Sequence, residues 1–176
     1  MIAWRHPRPI GYEGRCIGSR SDLAVDRRKA KRLAQRIRAR ARRDGLPRAI
    51  ACSPARRCRA VAVWLRRWGW RVQIDSGLRE IDFGDWDGLR WDAIGIEAID
   101  AWNADFLDHR PPGGESLADL LQRVAAWQPL PGFAGLIGHA GWLCARRWLA
   151  EQGAVLPSPA SWPVSPRYGE AWRFSS

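Results

Sequence analysis

Short apolar runs alternate with longer amphipathic stretches along this chain. Ile2-Ala3-Trp4, Ala49-Ile50-Ala51-Cys52, Arg71 to Ile74 and Ala134-Gly135-Leu136-Ile137 are too short for helices and long enough for strands. Between the first two lies a helical stretch, about Asp26 to Arg43, with Ala30, Leu33, Ala34, Ile37 and Ala41 on one face. It ends at Asp44-Gly45 and Pro47. Ser53 as cap and Pro54 at the first helical position predict a second helix through Cys58, Val61, Ala62, Leu65 and Trp68, ending at Gly69. From Asp75 to Pro112 the period weakens, which predicts an irregular loop and then short helical turns around Trp91 to Phe106. Pro111-Pro112-Gly113-Gly114 breaks the chain, and Ser116 with Asp119 caps a helix carrying Leu117, Leu120, Leu121 and Val124. A last helix is expected from about Gly141 to Gln152, then an uninformative tail rich in Pro and Ser. Strands alternating with amphipathic helices predict an α/β fold, a three-layer α/β/α sandwich around a mostly parallel sheet.

The 176 residues suit a single domain, residues 1–176, without internal repeats. The apolar fraction of 46% and charged fraction of 27% are those of a soluble globular chain. No apolar run approaches a membrane span, and no basic segment leads into an apolar leader core, so a cytoplasmic location is expected. Cys16, Cys52, Cys58 and Cys144 form no CxxC pair and no ligand-like spacing with the histidines, so no structural metal is expected. Oligomeric state stays open.

The net charge of +11 favours anionic partners. Ten of the cations lie between Arg27 and Arg43, a face read here as solvated. A basic helix and 12 Trp also fit a nucleic-acid-binding module. The tryptophans, however, are scattered among core-like neighbours, and nucleic acid is not the expected partner.

Three of the four strands end in polar clusters: Arg5-His6, Ser53-Pro54-Ala55-Arg56-Arg57 and Gly138-His139. In a parallel sheet these ends share one edge, where open α/β sheets bind ligands. Two imidazoles and two or more guanidiniums there suit a phosphate, because the planar guanidinium donates two parallel hydrogen bonds. A cysteine phosphatase would need Cys-x5-Arg; Cys52-x4-Arg57 has one residue too few.

Arg5-His6 after a strand, Ser53-Pro54-x-x-Arg57, Leu78-x-Glu80-x-x-Phe83-Gly84-x-Trp86-x-Gly88, Pro112-Gly113-Gly114-Glu115-Ser116 and Gly138-His139-Ala140-Gly141 follow one another in the order found in the histidine phosphatase superfamily, the family of phosphoglycerate mutases and acid phosphatases. The chain resembles that family from residue 2 to about 150. Arg5-His6-Pro7-Arg8-Pro9 and Gly84-Asp85-Trp86-Asp87-Gly88 look most like its α-ribazole phosphatases, which act late in cobalamin synthesis. The resemblance implies a metal-independent phosphomonoesterase without a cofactor, acting on a small phosphorylated metabolite. It implies His6 as nucleophile, Arg5, Arg57 and His139 as phosphate clamps, Gly18 and Ala140 as further phosphate contacts, and Glu80 as general acid and base. Asp82 and Asp85 lie close enough in sequence to be alternatives to Glu80. A catalytically dead, phosphate-binding relative is a further reading, weakened because His6, Glu80 and His139 are all present. Departures at Pro7, Ala55, Val61 and Tyr12 point away from a mutase. Tyr12, Trp86 and Trp142 are candidates to stack on a heteroaromatic substrate.

Overall fold

In the computed structural model, which describes residues 1–153 and 155–174, five strands form one sheet in the order β3-β2-β4-β1-β5. They are β1 (Ile2–Arg5), β2 (Ala49–Cys52), β3 (Arg71–Ile74), β4 (Gly135–Gly138) and β5 (Ala171–Arg173). The first four pair in parallel, and β5 runs antiparallel to β1 at the edge. The three strands expected to end in polar clusters, β2, β4 and β1, are therefore adjacent and central. Trp4 lies beside Ile137, and Cys52 lies beside the same residue on its other side.

The helices are α1 (Arg27–Arg43), α2 (Arg56–Arg67), α3 (Trp91–Ile94), α4 (Ile96–Ala104), α5 (Leu117–Ala126) and α6 (Ala140–Glu151). Alternate strand residues point to opposite layers. Ile2, Trp4, Ile50, Cys52 and Ile137 pack with Leu33, Ile37, Val61 and Leu65 of α1 and α2. Ala3, Ala51 and Leu136 pack with Leu117, Leu120, Val124, Trp142 and Leu143 of α5 and α6. This is the expected three-layer arrangement. Among the described residues no helix is long and apolar enough to cross a membrane.

Helix α1 is capped by Asp26, which accepts from the Lys29 N–H at 2.9 Å. Helix α5 carries the expected capping box between Ser116 and Asp119.

One expectation needs correction. Helix α2 starts at Arg56, and its N-cap is Ala55, which has no side chain to cap with. Ser53 is still part of the β2 exit, its N–H donating to the Ile137 carbonyl at 3.0 Å, and its hydroxyl is taken by a tertiary partner. The described part of the tail, on which the sequence is uninformative, adds a strand. Ala171–Arg173 adds β5 alongside β1, and the Gly169 N–H donates to the carbonyls of Arg5 and His6. Short apolar and polar residues after a Pro-rich stretch carry no period of their own; the free edge of β1 supplies the order.

Candidate active site

His6 is the residue that follows β1. Its N–H is tied to the Gly138 carbonyl at 3.0 Å, so the β1–β4 ladder continues one residue past the strand. The side chain is buried, and Nδ1 lies 2.7 Å from the Pro7 carbonyl. A carbonyl only accepts, so Nδ1 carries the hydrogen and Nε2 keeps its lone pair.

His139 follows β4 and is fully buried. Its ring meets that of His6 edge-on with centroids 5.1 Å apart. Arg57 Nε donates to His139 Nδ1 at 3.2 Å, which puts the hydrogen on Nε2, 2.7 Å from Ser53 Oγ. Both ring nitrogens are thus engaged by protein groups. Arg57, buried on the first turn of α2, also donates to the Gly18 carbonyl at 2.9 Å and to the Ser21 carbonyl. These bonds use three of its five N–H donors.

Arg5 is half-buried. Its Nη1 donates to the Pro166 carbonyl at 2.7 Å, and its guanidinium stacks 3.9 Å from the centre of the Tyr168 ring. Its Nε is buried without a hydrogen-bond partner among the described residues.

Glu80 reaches the same region from the long segment after β3. That segment lacks a period but is held at several points. Asp75 caps a 3-10 turn, Ser76–Leu78, and accepts from Trp127 Nε1 at 2.8 Å. Arg123 donates to the carbonyls of Gly77 and Arg79 and pairs with Glu115 at 2.6 Å. Buried Leu78 and Ile81 flank Glu80. Its carboxylate accepts the N–H groups of Gly141 and Trp142, both at 3.2 Å, and so sits on the N-terminus of α6. A Cβ on Gly141 would lie 2.5 Å from Glu80 Oε1, so only glycine lets the carboxylate come this close.

Asp82 and Asp85 do not join this group. Both face Arg20, at 2.8 and 3.9 Å, and Asp85 is largely exposed. Gly18 contributes its carbonyl to Arg57, while its N–H donates to Asp87 at 3.0 Å. Ala140 is the first residue of α6, directly after His139.

A cavity of about 160 Å³ opens here, lined by Ser19, Asp22, Ser53, Pro54, Ala55, Arg57, Arg79, Glu80 and His139. Asp22, Arg79 and Tyr168 were not singled out in the sequence. Asp22 accepts the Arg56 N–H at 2.6 Å, and nothing in its local pattern marks it. Tyr168, whose ring centre lies 5.6 Å from that of His6, comes from the tail. Trp86 and Trp142, expected as possible stacking groups, belong to the core: Trp142 is fully buried with Nε1 bonded to the Gly77 carbonyl at 2.9 Å, and Trp86 packs on Trp102. Tyr12 is half-buried against Tyr168.

Burial, with Arg57 next, pushes both imidazoles well below the ordinary histidine value of 6.5. Both are therefore neutral at pH 7. The unfolded chain takes up protons below pH 6.5 that the folded chain refuses, so stability is complete above that pH and lost as pH falls. For two such groups the slope has a ceiling of about 2.7 kcal/mol per pH unit. Urea unfolding between pH 7 and pH 5 should show this decline; a flat profile would mean that the imidazoles are not held neutral. The thiols move the other way. Burial raises Cys52 and holds Cys58 at about 12, so neither supplies a thiolate nucleophile at neutral pH. Among the described residues no three His, Cys, Asp or Glu side chains converge as metal ligands.

The glucosyl-3-phosphoglycerate phosphatase of Mycobacterium tuberculosis is 33% identical over 144 residues, 71% of this chain and 62% of that protein. The chain spans less than two thirds of the length of the curated relatives it matches. The solved structure of mycobacterial glucosyl-3-phosphoglycerate phosphatase complexed with VO3 superposes with a TM-score of 0.74, at 26% identity over 97% of this chain and 90% of that one. The α-ribazole phosphatase of Shigella flexneri superposes with a TM-score of 0.71 over 97% and 88%, and its 22% identity supports the shared fold alone. Residues 1–128 match the histidine phosphatase superfamily (branch 1), and with β1, β2 and β4 bringing Arg5, His6, Arg57 and His139 to one sheet edge, the chain belongs to that superfamily.

Proposed function

We propose that the protein is a phosphomonoesterase that works through a phosphohistidine on His6. The observation that carries this reading is the fixed tautomer of His6: Nδ1–H is bonded to the Pro7 carbonyl, which leaves the Nε2 lone pair for attack at phosphorus. As the N–P bond forms, the ester P–O bond breaks and the leaving oxygen takes a proton from Glu80. Water, losing its proton to Glu80, then attacks the phosphohistidine; the P–N bond breaks, and inorganic phosphate and neutral His6 are regenerated. Arg5 and Arg57 compensate the charge on the transferring oxygens. The buried Nε of Arg5, without a partner among the described residues, supports its share of that role. With both nitrogens engaged, His139 holds Arg57 in place and walls the site beside His6.

The substrate is a small phosphorylated metabolite. The motif forms around Arg5 and Gly84 favour α-ribazole 5′-phosphate. The 33% identity to a glucosyl-3-phosphoglycerate phosphatase supports a second candidate, that phosphorylated sugar acid. Measuring kcat/KM on both, with p-nitrophenyl phosphate as the reference ester, ranks them. Absence of phosphate release from any monoester would overturn the assignment.

The glycine beside Glu80 gives a further test. Gly141→Ala places a methyl 2.5 Å from Oε1, inside contact distance, so Glu80 must shift away. Turnover of an alkyl phosphate should fall on the order of 10²-fold with little change in KM, since an ångström of misplacement costs about that much. Unchanged turnover would show that the present position of Glu80 is not the working one.

A further inference from the structure

A second cavity, about 290 Å³, is lined in part by Tyr168, the residue whose ring neighbours His6. Three separate segments build it: Pro7-Arg8 after β1, one flank of α1, and Tyr168-Gly169 of the tail. Its lining includes four cations, Arg8, Lys29, Arg32 and Arg36, and no carboxylate. None of the four is ion-paired among the described residues. Two acids close by in the sequence make other hydrogen bonds. Asp26 accepts the Lys29 N–H, and Glu170 accepts the Arg167 N–H and Trp172 Nε1.

The spacing on α1 makes the cluster. Positions 29, 32 and 36 are three and four residues apart and so share a face. Like charges at this spacing repel each other, which disfavours holding four of them around one hollow with no counter-charge. Arg8 lies near both tyrosine rings, 5.5 Å from the centre of Tyr12 and 5.7 Å from that of Tyr168. Tyr168 links this cavity to the neighbourhood of His6. Its ring stacks on Arg5, beside His6, and it also lines this cavity.

We propose that this cavity is an anion-binding site, separate from the phosphate site at the strand ends, for a small multivalent phosphate of two or three units. Several cations converging from different segments suit a ligand that carries several charges close together, and Arg forks match phosphate oxygens in geometry. The volume, at the small end of ligand pockets, fits a short phosphate chain better than a large organic molecule.

The test is calorimetric titration of the whole protein with inorganic tripolyphosphate at fixed ionic strength. Arg32→Gln with Arg36→Gln removes two lining charges. Arg38→Gln with Arg42→Gln removes the same charge from α1 at positions outside the lining. Both pairs lie on the exposed side of α1 and leave Arg5, Arg57 and His139 untouched, so the comparison reads this cavity whatever the enzyme hydrolyses. The first pair should weaken one binding event by about tenfold or more, as loss of charge-assisted hydrogen bonds does, and the second should leave that event within about threefold. Equal weakening by both pairs would reduce the effect to the general field of a basic helix and overturn the site. Binding of duplex DNA without binding of tripolyphosphate would overturn it as well, in favour of an extended polyanion surface.

Discussion

His6→Ala should abolish phosphomonoester hydrolysis, with a loss of at least about four orders of magnitude in kcat, the scale seen when a covalent nucleophile is removed. The wild-type enzyme, quenched during turnover, should carry phosphate that is labile to acid and stable to base, and the variant should carry none. The structure makes the result specific to this imidazole. His6 has one nitrogen bonded to the Pro7 carbonyl and one with its lone pair available. His139 has both nitrogens spent, on Arg57 and on Ser53, so it cannot take over as nucleophile without giving up the bond that orients Arg57. Cys58, 3.6 Å from His139 Nε2, is closed to the role by burial of its thiol. His6→Ala keeps the backbone bond from residue 6 to the Gly138 carbonyl that ties the end of β1 to β4, so the variant should remain folded, which its melting temperature checks. A variant that still turns over would end the phosphohistidine mechanism.

Much of this site is legible in the chain because strand ends announce themselves. The apolar runs before Arg5-His6, Ser53 and Gly138-His139 stop abruptly, and parallel pairing of β1, β4 and β2 then brings the three clusters together. Helix α1 is legible for the same kind of reason, a period that leaves Leu33 and Ile37 buried and the cations outside. Ser53 shows the limit of local reading. Its position before Pro54 has the form of a helix cap, yet the bond to His139, 86 residues away, takes the hydroxyl. Tyr168 is beyond local reading altogether. It reaches His6 because β5 finds the open edge of β1, and neither segment codes for that pairing alone. The tryptophans divide in the same way. Trp142 looked like a stacking group from its motif, whereas its place on α6 faces the core.

The same distinction bears on the general acid. The motif resemblance points to Glu80, with Asp82 and Asp85 as close alternatives; the fold separates them by sending the two aspartates to Arg20 and Glu80 to the N-terminus of α6. It also adds a competitor, Asp22, which lines the same cavity as Glu80. The four can be told apart by the leaving group. Proton donation matters most when the departing alcohol is poor and little when it is a stable phenolate. Glu80→Gln should therefore lose about two to four orders of magnitude on an alkyl phosphate and far less in phosphorylation by p-nitrophenyl phosphate. It should also accumulate phosphohistidine, because water attack then lacks its base. The amide keeps one oxygen to accept from the Ile81 and Trp142 N–H groups, so the variant should fold, which its melting temperature checks. Asp22→Asn, Asp82→Asn and Asp85→Asn should show neither the leaving-group dependence nor the trapped intermediate. If Asp22→Asn shows both and Glu80→Gln neither, the nucleophile and clamps stand, the acid is Asp22, and the carboxylate on α6 is there to hold the helix end.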